Sequence, residues 1–139
     1  MNRQLVLAEW RRARECLRAA EVLCREKCHI DAVSRTYYAA LHAAKAALEV
    51  HGVGAESHAA VRRLFGLHLI QSGELEREWA AYLGESLDDR LAADYNPEIR
   101  FSEQDARLQC RHMRKFLSRI RRYLLDRGLT ESELRRRSP

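Results

Sequence analysis

The chain has 139 residues, 46% apolar and 32% charged, with 25 Lys and Arg against 20 Asp and Glu. That length suits one globular domain with a core that needs neither disulfides nor metal, and it is too short for two. Its strictly apolar runs fall far short of the roughly 20 residues that cross a bilayer, and Met1-Asn2-Arg3 opens no signal-like stretch, so the expectation is a cytoplasmic protein with no membrane association and no cofactor.

With prolines only at 97 and 139, and six glycines, the chain keeps long stretches of Ala, Leu, Glu and Arg, which lose little on entering a helix. A first helix is predicted from about Asn2 to Lys27, with Leu5, Ala8, Ala13, Cys16, Ala20, Leu23 and Cys24 forming its apolar stripe. A second runs from about Asp31 to Val50, carries Val33, Tyr37, Ala40, Leu41, Ala44 and Leu48 inward, and stops at Gly52. Ser57 caps a short third helix that buries Val61, Leu64, Phe65 and Leu69 and ends near Gly73. The fourth starts near Glu74, carries Leu75, Trp79, Tyr82, Leu83, Leu87 and Leu91, and stops at Asn96-Pro97, because proline disfavours α conformation in the residue before it. Ser102 with Asp105 opens a fifth helix to about Arg127, with Ala106, Cys110, Met113, Phe116, Leu117, Ile120, Tyr123 and Leu124 inward. Residues 128–139 are expected to fray as a basic tail. Short connections between amphipathic helices favour antiparallel neighbours, so the predicted fold is all-α, an up-and-down bundle of four to five helices in a single domain over 1–139.

Cys16, Cys24 and Cys28 recur at helical spacing, as core-filling thiols do. Cys24, Cys28 and His29 offer zinc-type ligands, but no second Cys-x-x-Cys half accompanies them, so no metal site is assigned. From Arg107 onward, eleven basic side chains face three acidic ones. That polarity either attracts an anionic partner or makes a solvated outer helix face. Arg111, Arg114, Arg121 and Arg122 are its candidate RNA or partner contacts.

The string Ala32-Val33-Ser34-Arg35-Thr36-Tyr37-Tyr38-Ala39-Ala40-Leu41-His42 is followed by Ser57-His58 and by Arg90-Leu91-Ala92-Ala93-Asp94-Tyr95. With these motifs in this order, the chain resembles the HEPN superfamily of small prokaryotic helical domains over roughly Leu5 to Leu125. The resemblance implies a HEPN-like bundle that forms a homodimer, often encoded beside a minimal nucleotidyltransferase in a toxin and antitoxin pair or a phage-defence system. It also implies kinship to metal-independent endoribonucleases, whose Arg and His, often with a following Tyr, meet at the dimer cleft. In this chain the corresponding residues are Arg90, Asp94 and Tyr95, with Asp94 near the place of the His.

RNA cleavage by a 2′-hydroxyl needs a base, an acid and positive charge on the phosphate. Arg90 can fork onto a phosphate, but a carboxylate titrating near 3.9 is a poor acid at neutral pH, so the trio suits binding better than catalysis. Arg35 and His42 are the alternative pair, two turns apart on one helix face. Tyr38 and His58 are further candidate contacts, or structural partners within the bundle or at a dimer seam. Two functions stay open: a HEPN component that binds RNA, a nucleotidyltransferase partner or both, and an active endoribonuclease with a composite dimer site. Tyr95 as a target for nucleotide transfer is a third.

Overall fold

The computed structural model describes residues 1–137; Ser138 and Pro139, the end of the expected tail, lie outside the described residues. Six α-helices form: α1 (Arg3–Arg25), α2 (His29–Val50), α3 (His58–Phe65), α4 (Arg77–Tyr95), α5 (Glu103–Asp126) and α6 (Glu131–Arg135). No strand occurs among the described residues. The fold is an all-α, HEPN-like up-and-down bundle.

α2 is the central helix, packed against α1, α4 and α5. Seven of its alanines are buried, and so small a side chain lets neighbouring backbones approach closely. α1 and α4 run antiparallel to α2, as the pairing of Glu9 with His42 and of Arg90 with Tyr37 shows. α5 runs the same way as α2, with Ala106 beside Val33 at one end and Tyr123 bonded to His51 at the other. The main core joins Val6, Trp10, Tyr37, Leu48, Phe65, Met113, Phe116 and Ile120.

Several local features depart from expectation. α1 buries Val6 and Trp10, while Leu5 is 49% exposed; both registers keep three- and four-residue steps, and the indole, whose N–H reaches the Leu134 carbonyl, selects this one. Cys28 is exposed rather than core-filling, because α1 ends at Arg25 and Lys27 turns the chain in the left-handed region at φ 60°. α3 is cut short by a π-helical turn over Gly66–Ile70, and Gln71 N–H donates to the Gly66 carbonyl at 2.9 Å. α4 consequently begins at Arg77 rather than near Glu74.

The expected fraying from residue 128 is also corrected. Thr130 and Glu133 form a reciprocal capping box, so the segment starts a helix of its own. Leu134 is buried, Arg14 donates to its carbonyl at 2.8 Å, and Arg3 grips Glu133 and the Gly128 carbonyl. Arg3 holds the Glu133 carboxyl down at about 2. Leu134→Ala is therefore expected to cost about 2–4 kcal/mol in urea unfolding, the usual range for emptying a buried leucine site. Arg136→Ala, at an exposed position, should change stability by less than about 0.5 kcal/mol.

Candidate functional site

The three motifs singled out in the sequence meet in one cleft between α2, α3 and α4. Tyr37 and Tyr38 sit on the same turn of α2, with ring centroids 5.4 Å apart and edge to face. Tyr37 is buried and Tyr38 half-buried. Ser57 caps α3 by accepting from the Ala60 N–H, which places His58 on the first helical residue, against Tyr37. The two rings stack at 5.4 Å, and Tyr37 Oη lies 2.5 Å from His58 Nδ1.

Burial pushes the Tyr37 phenol up to about 12, although the nearby Arg90 charge opposes the shift. The phenol therefore keeps its proton and, with no other acceptor among the described residues, donates to Nδ1. In the neutral imidazole, Nε2 then carries the proton and is a donor. Burial lowers the His58 pKa below its usual 6.5, and the positive charges of Arg90, Lys45 and His42 lower it further.

Arg90 extends from α4 across both tyrosines, its guanidinium carbon 5.6 Å from the Tyr37 centroid and 5.3 Å from that of Tyr38. Arg35 approaches Tyr38 from α2 itself at 4.8 Å. Such cation and aromatic contacts contribute about 0.5–2 kcal/mol each, depending on desolvation. Arg90 Nε lies 3.0 Å from Asp94 Oδ2, one turn on, but off the hydrogen-bond axis, so this buried N–H has no aligned acceptor. A hydrogen bond weakens steeply off its axis, so the contact with Asp94 is chiefly one of charge. The guanidinium is thus partly neutralised by Asp94, while its side chain stays 17% exposed.

Asp94 meets Arg90, but Tyr95 is 77% exposed at the end of α4 and makes no hydrogen bond among the described residues. His42 makes no hydrogen bond to Arg35 among the described residues; it reaches α1, where its Nδ1 lies 2.7 Å from Glu9 Oε2 and Lys45 Nζ lies 3.4 Å from Oε1. Burial alone would raise the Glu9 carboxyl, yet the His42 hydrogen bond and the Lys45 charge outweigh it and hold the pKa below the ordinary value. With Nδ1–H directed at the carboxylate, the lone pair of neutral His42 is on Nε2, as in a carboxylate-oriented base. Glu9 has no sequence mark of this role, because its partner is 33 residues away.

Arg62 also escaped the sequence reading. Its guanidinium crosses α4 so closely at Gly84 that a Cβ there would stand 2.7 Å from one of its terminal nitrogens. Gly84 is what lets this side chain lie against the helix. Of the α5 candidates, Arg114 pairs with Glu21 and Arg121 with Glu131, whereas Arg111 and Arg122 have no carboxylate partner among the described residues. Cys24, Cys28 and His29 do not converge: Cys24 packs toward the core, while Cys28 turns to the Glu26 carbonyl at 3.8 Å. No trio of His, Cys, Asp or Glu among the described residues is arranged to hold a metal ion, and no helix there is long and apolar enough to cross a membrane.

Comparison with known proteins gives a match to the HEPN domain over residues 7–123. A Methanocaldococcus jannaschii protein that bears the name "Putative toxin" is 34% identical over 114 residues, covering 82% of this chain and 84% of its own. A second protein of that name from the same organism is 28% identical, covering 88% and 83%. A UPF0332 protein of Thermotoga maritima is 27% identical, covering 90% of this chain and 96% of its own.

The cleft makes a pH-dependent contribution of definite sign. Because the His58 pKa is lowered on folding, its contribution is complete above about pH 6.5 and is lost as the pH falls through the folded value. NMR titration should find His58 below 6.5 in the native protein and higher in Arg90→Ala. His58→Gln should remove this part of the acid sensitivity of unfolding.

Proposed function

Because the chain belongs to the HEPN domain family, matched over residues 7–123, we propose that it is the toxin-like HEPN component of a toxin and antitoxin or phage-defence system, and that it binds RNA in the Arg35, Tyr38, His58 and Arg90 cleft. The observation that carries this reading is the partly exposed Arg90 guanidinium laid over the half-buried Tyr38 ring, 5.3 Å from its centroid. A guanidinium is the side chain best shaped to fork onto phosphate, and Arg90 would do so through its terminal N–H groups. Arg35 and the His58 Nε2–H add positive charge and a further donor at the same cleft. Tyr38 offers an aromatic surface to a base, a contact that contributes about 1–3 kcal/mol and tolerates any sequence.

Relatives that bear a toxin name support the biological half of the proposal. A second copy of the chain and a minimal nucleotidyltransferase are the partners we assign to it. Tyr95, exposed at the end of α4, is accessible to such an enzyme as an acceptor of a nucleotide.

A second reading, cleavage of the bound RNA, draws on one feature, the Glu9-oriented His42. Neutral His42 has a lone pair for a 2′-hydroxyl proton, while Arg90 and His58 supply charge and a donor to the phosphate. The leaving 5′-oxygen takes its proton from solvent water, since the His58 Nε2–H belongs to a neutral ring.

Binding is tested by fluorescence anisotropy with a labelled RNA oligonucleotide. Arg90→Ala and Tyr38→Ala should each weaken it about tenfold, corresponding to about 1.4 kcal/mol, and unchanged binding in both would reject the cleft. Incubation with total RNA in EDTA separates the two readings. Intact RNA supports binding alone, whereas cleavage that disappears in His42→Ala and Arg90→Ala establishes the nuclease.

A further inference from the structure

On the far side of α2 from this cleft, the seam between α1 and α5 opens into a groove of about 530 Å³ that no role has yet used. Arg107, Arg111 and Arg114 line it from one face of α5, at steps of four and three residues, and Arg25 faces them from the last turn of α1. Arg107 is paired with Glu103 at 2.8 Å and Arg114 with Glu21 at 3.3 Å. Arg25 and Arg111 are exposed and have no carboxylate partner among the described residues. Glu21 is the one carboxylate among the groove's described lining residues, and it is already bound.

Positive charge continues along the seam toward α6. Arg14 is pressed by the charges of Arg18, Arg137 and Arg121 as well as by burial.

We propose that the α1 and α5 groove is a second RNA site, in which Arg25 and Arg111, supported by Arg107 and Arg114, bind the phosphate backbone of a single strand. Guanidiniums converging on a narrow concave channel from two helices match phosphates spaced along a strand, each able to take two oxygens. The proposal rests on the reading of the protein as an RNA binder and adds a path for the strand remote from the Tyr38 cleft. The groove floor carries the Cys24 and Cys110 thiols. Burial raises the Cys110 pKa to about 12, so this thiol is inert, and half-buried Cys24 is the one that reports on occupancy.

The test uses the full chain and a fluorescein-labelled twelve-nucleotide oligouridylate, with Arg25→Glu/Arg111→Glu beside Arg90→Ala and Tyr38→Ala. Both groove substitutions fall on exposed, unpaired side chains, so the fold should persist. The groove variant should bind at least tenfold more weakly. Its log-affinity against log-salt slope should be shallower by about 1.4, about 0.7 for each lost phosphate contact. In a Cys28→Ser background, oligouridylate should also slow iodoacetamide alkylation of Cys24, and this protection should vanish in the groove variant.

Unchanged affinity and slope in Arg25→Glu/Arg111→Glu would overturn the groove while losses in Arg90→Ala and Tyr38→Ala leave the cleft standing. The reverse pattern would keep the groove and reject the cleft. Absence of any binding by the unmodified chain would overturn both. Displacement of the oligouridylate by polyglutamate as readily as by unlabelled RNA would reassign the groove to an acidic protein.

Discussion

Close packing around α2 sets where every other helix of the bundle lies. A helix with seven buried alanines can have α1, α4 and α5 brought against it, and the short side chains leave each neighbour near enough for polar groups to bond across the seams. Glu9 reaches His42 from α1, Arg90 reaches the tyrosine pair from α4, and Tyr123 reaches His51 from α5. Larger residues at Ala39, Ala40, Ala43 or Ala44 would push these helices outward, and overpacking of a dense core is itself destabilising.

The cleft follows from that geometry through a chain of dependencies. Tyr37 is held by the core, its hydroxyl selects the tautomer of His58, and the first turn of α3 is in turn placed by the Ser57 cap. Arg90 lies on aromatic faces, with a carboxylate near but misaligned. Arg90 is therefore positioned by the two rings as well as by Asp94, which neutralises part of its charge. Burial first, and then the charges of Arg90 and Lys45, lower the His58 pKa and so favour its neutral form.

A different use of charge occurs at the other end of the bundle. Glu74 collects His51, Ser72, Tyr123 and Arg127, and Glu76 takes Arg119 and the Trp79 indole N–H. These bonds tie the segment after the π turn to α2 and α5. With the Arg107–Glu103, Arg114–Glu21 and Arg121–Glu131 pairs, the Arg119 bond leaves Arg111, Lys115 and Arg122 as the cations of α5 without a carboxylate partner among the described residues. Charge counted along the sequence therefore overstates what a partner could use, since much of it is neutralised across helix seams.

Legible in the chain alone is whatever depends on near neighbours: the five helical segments, read from periodicity, the Ser57 and Ser102 starts, the stops at Gly52 and Asn96-Pro97, and membership of the HEPN family. Only the tertiary structure decided which of these residues meet. His58 joins Arg90 and Tyr37 although the three lie on separate helices, Glu9 takes His42, Tyr95 stays outside, and a tail with three arginines folds because Leu134 and Trp10 find each other across the bundle. The physical reason is that caps and periodic stripes act within a few residues, whereas hydrogen bonds, tautomers and ion pairs between helices depend on packing angles and register that no local window contains.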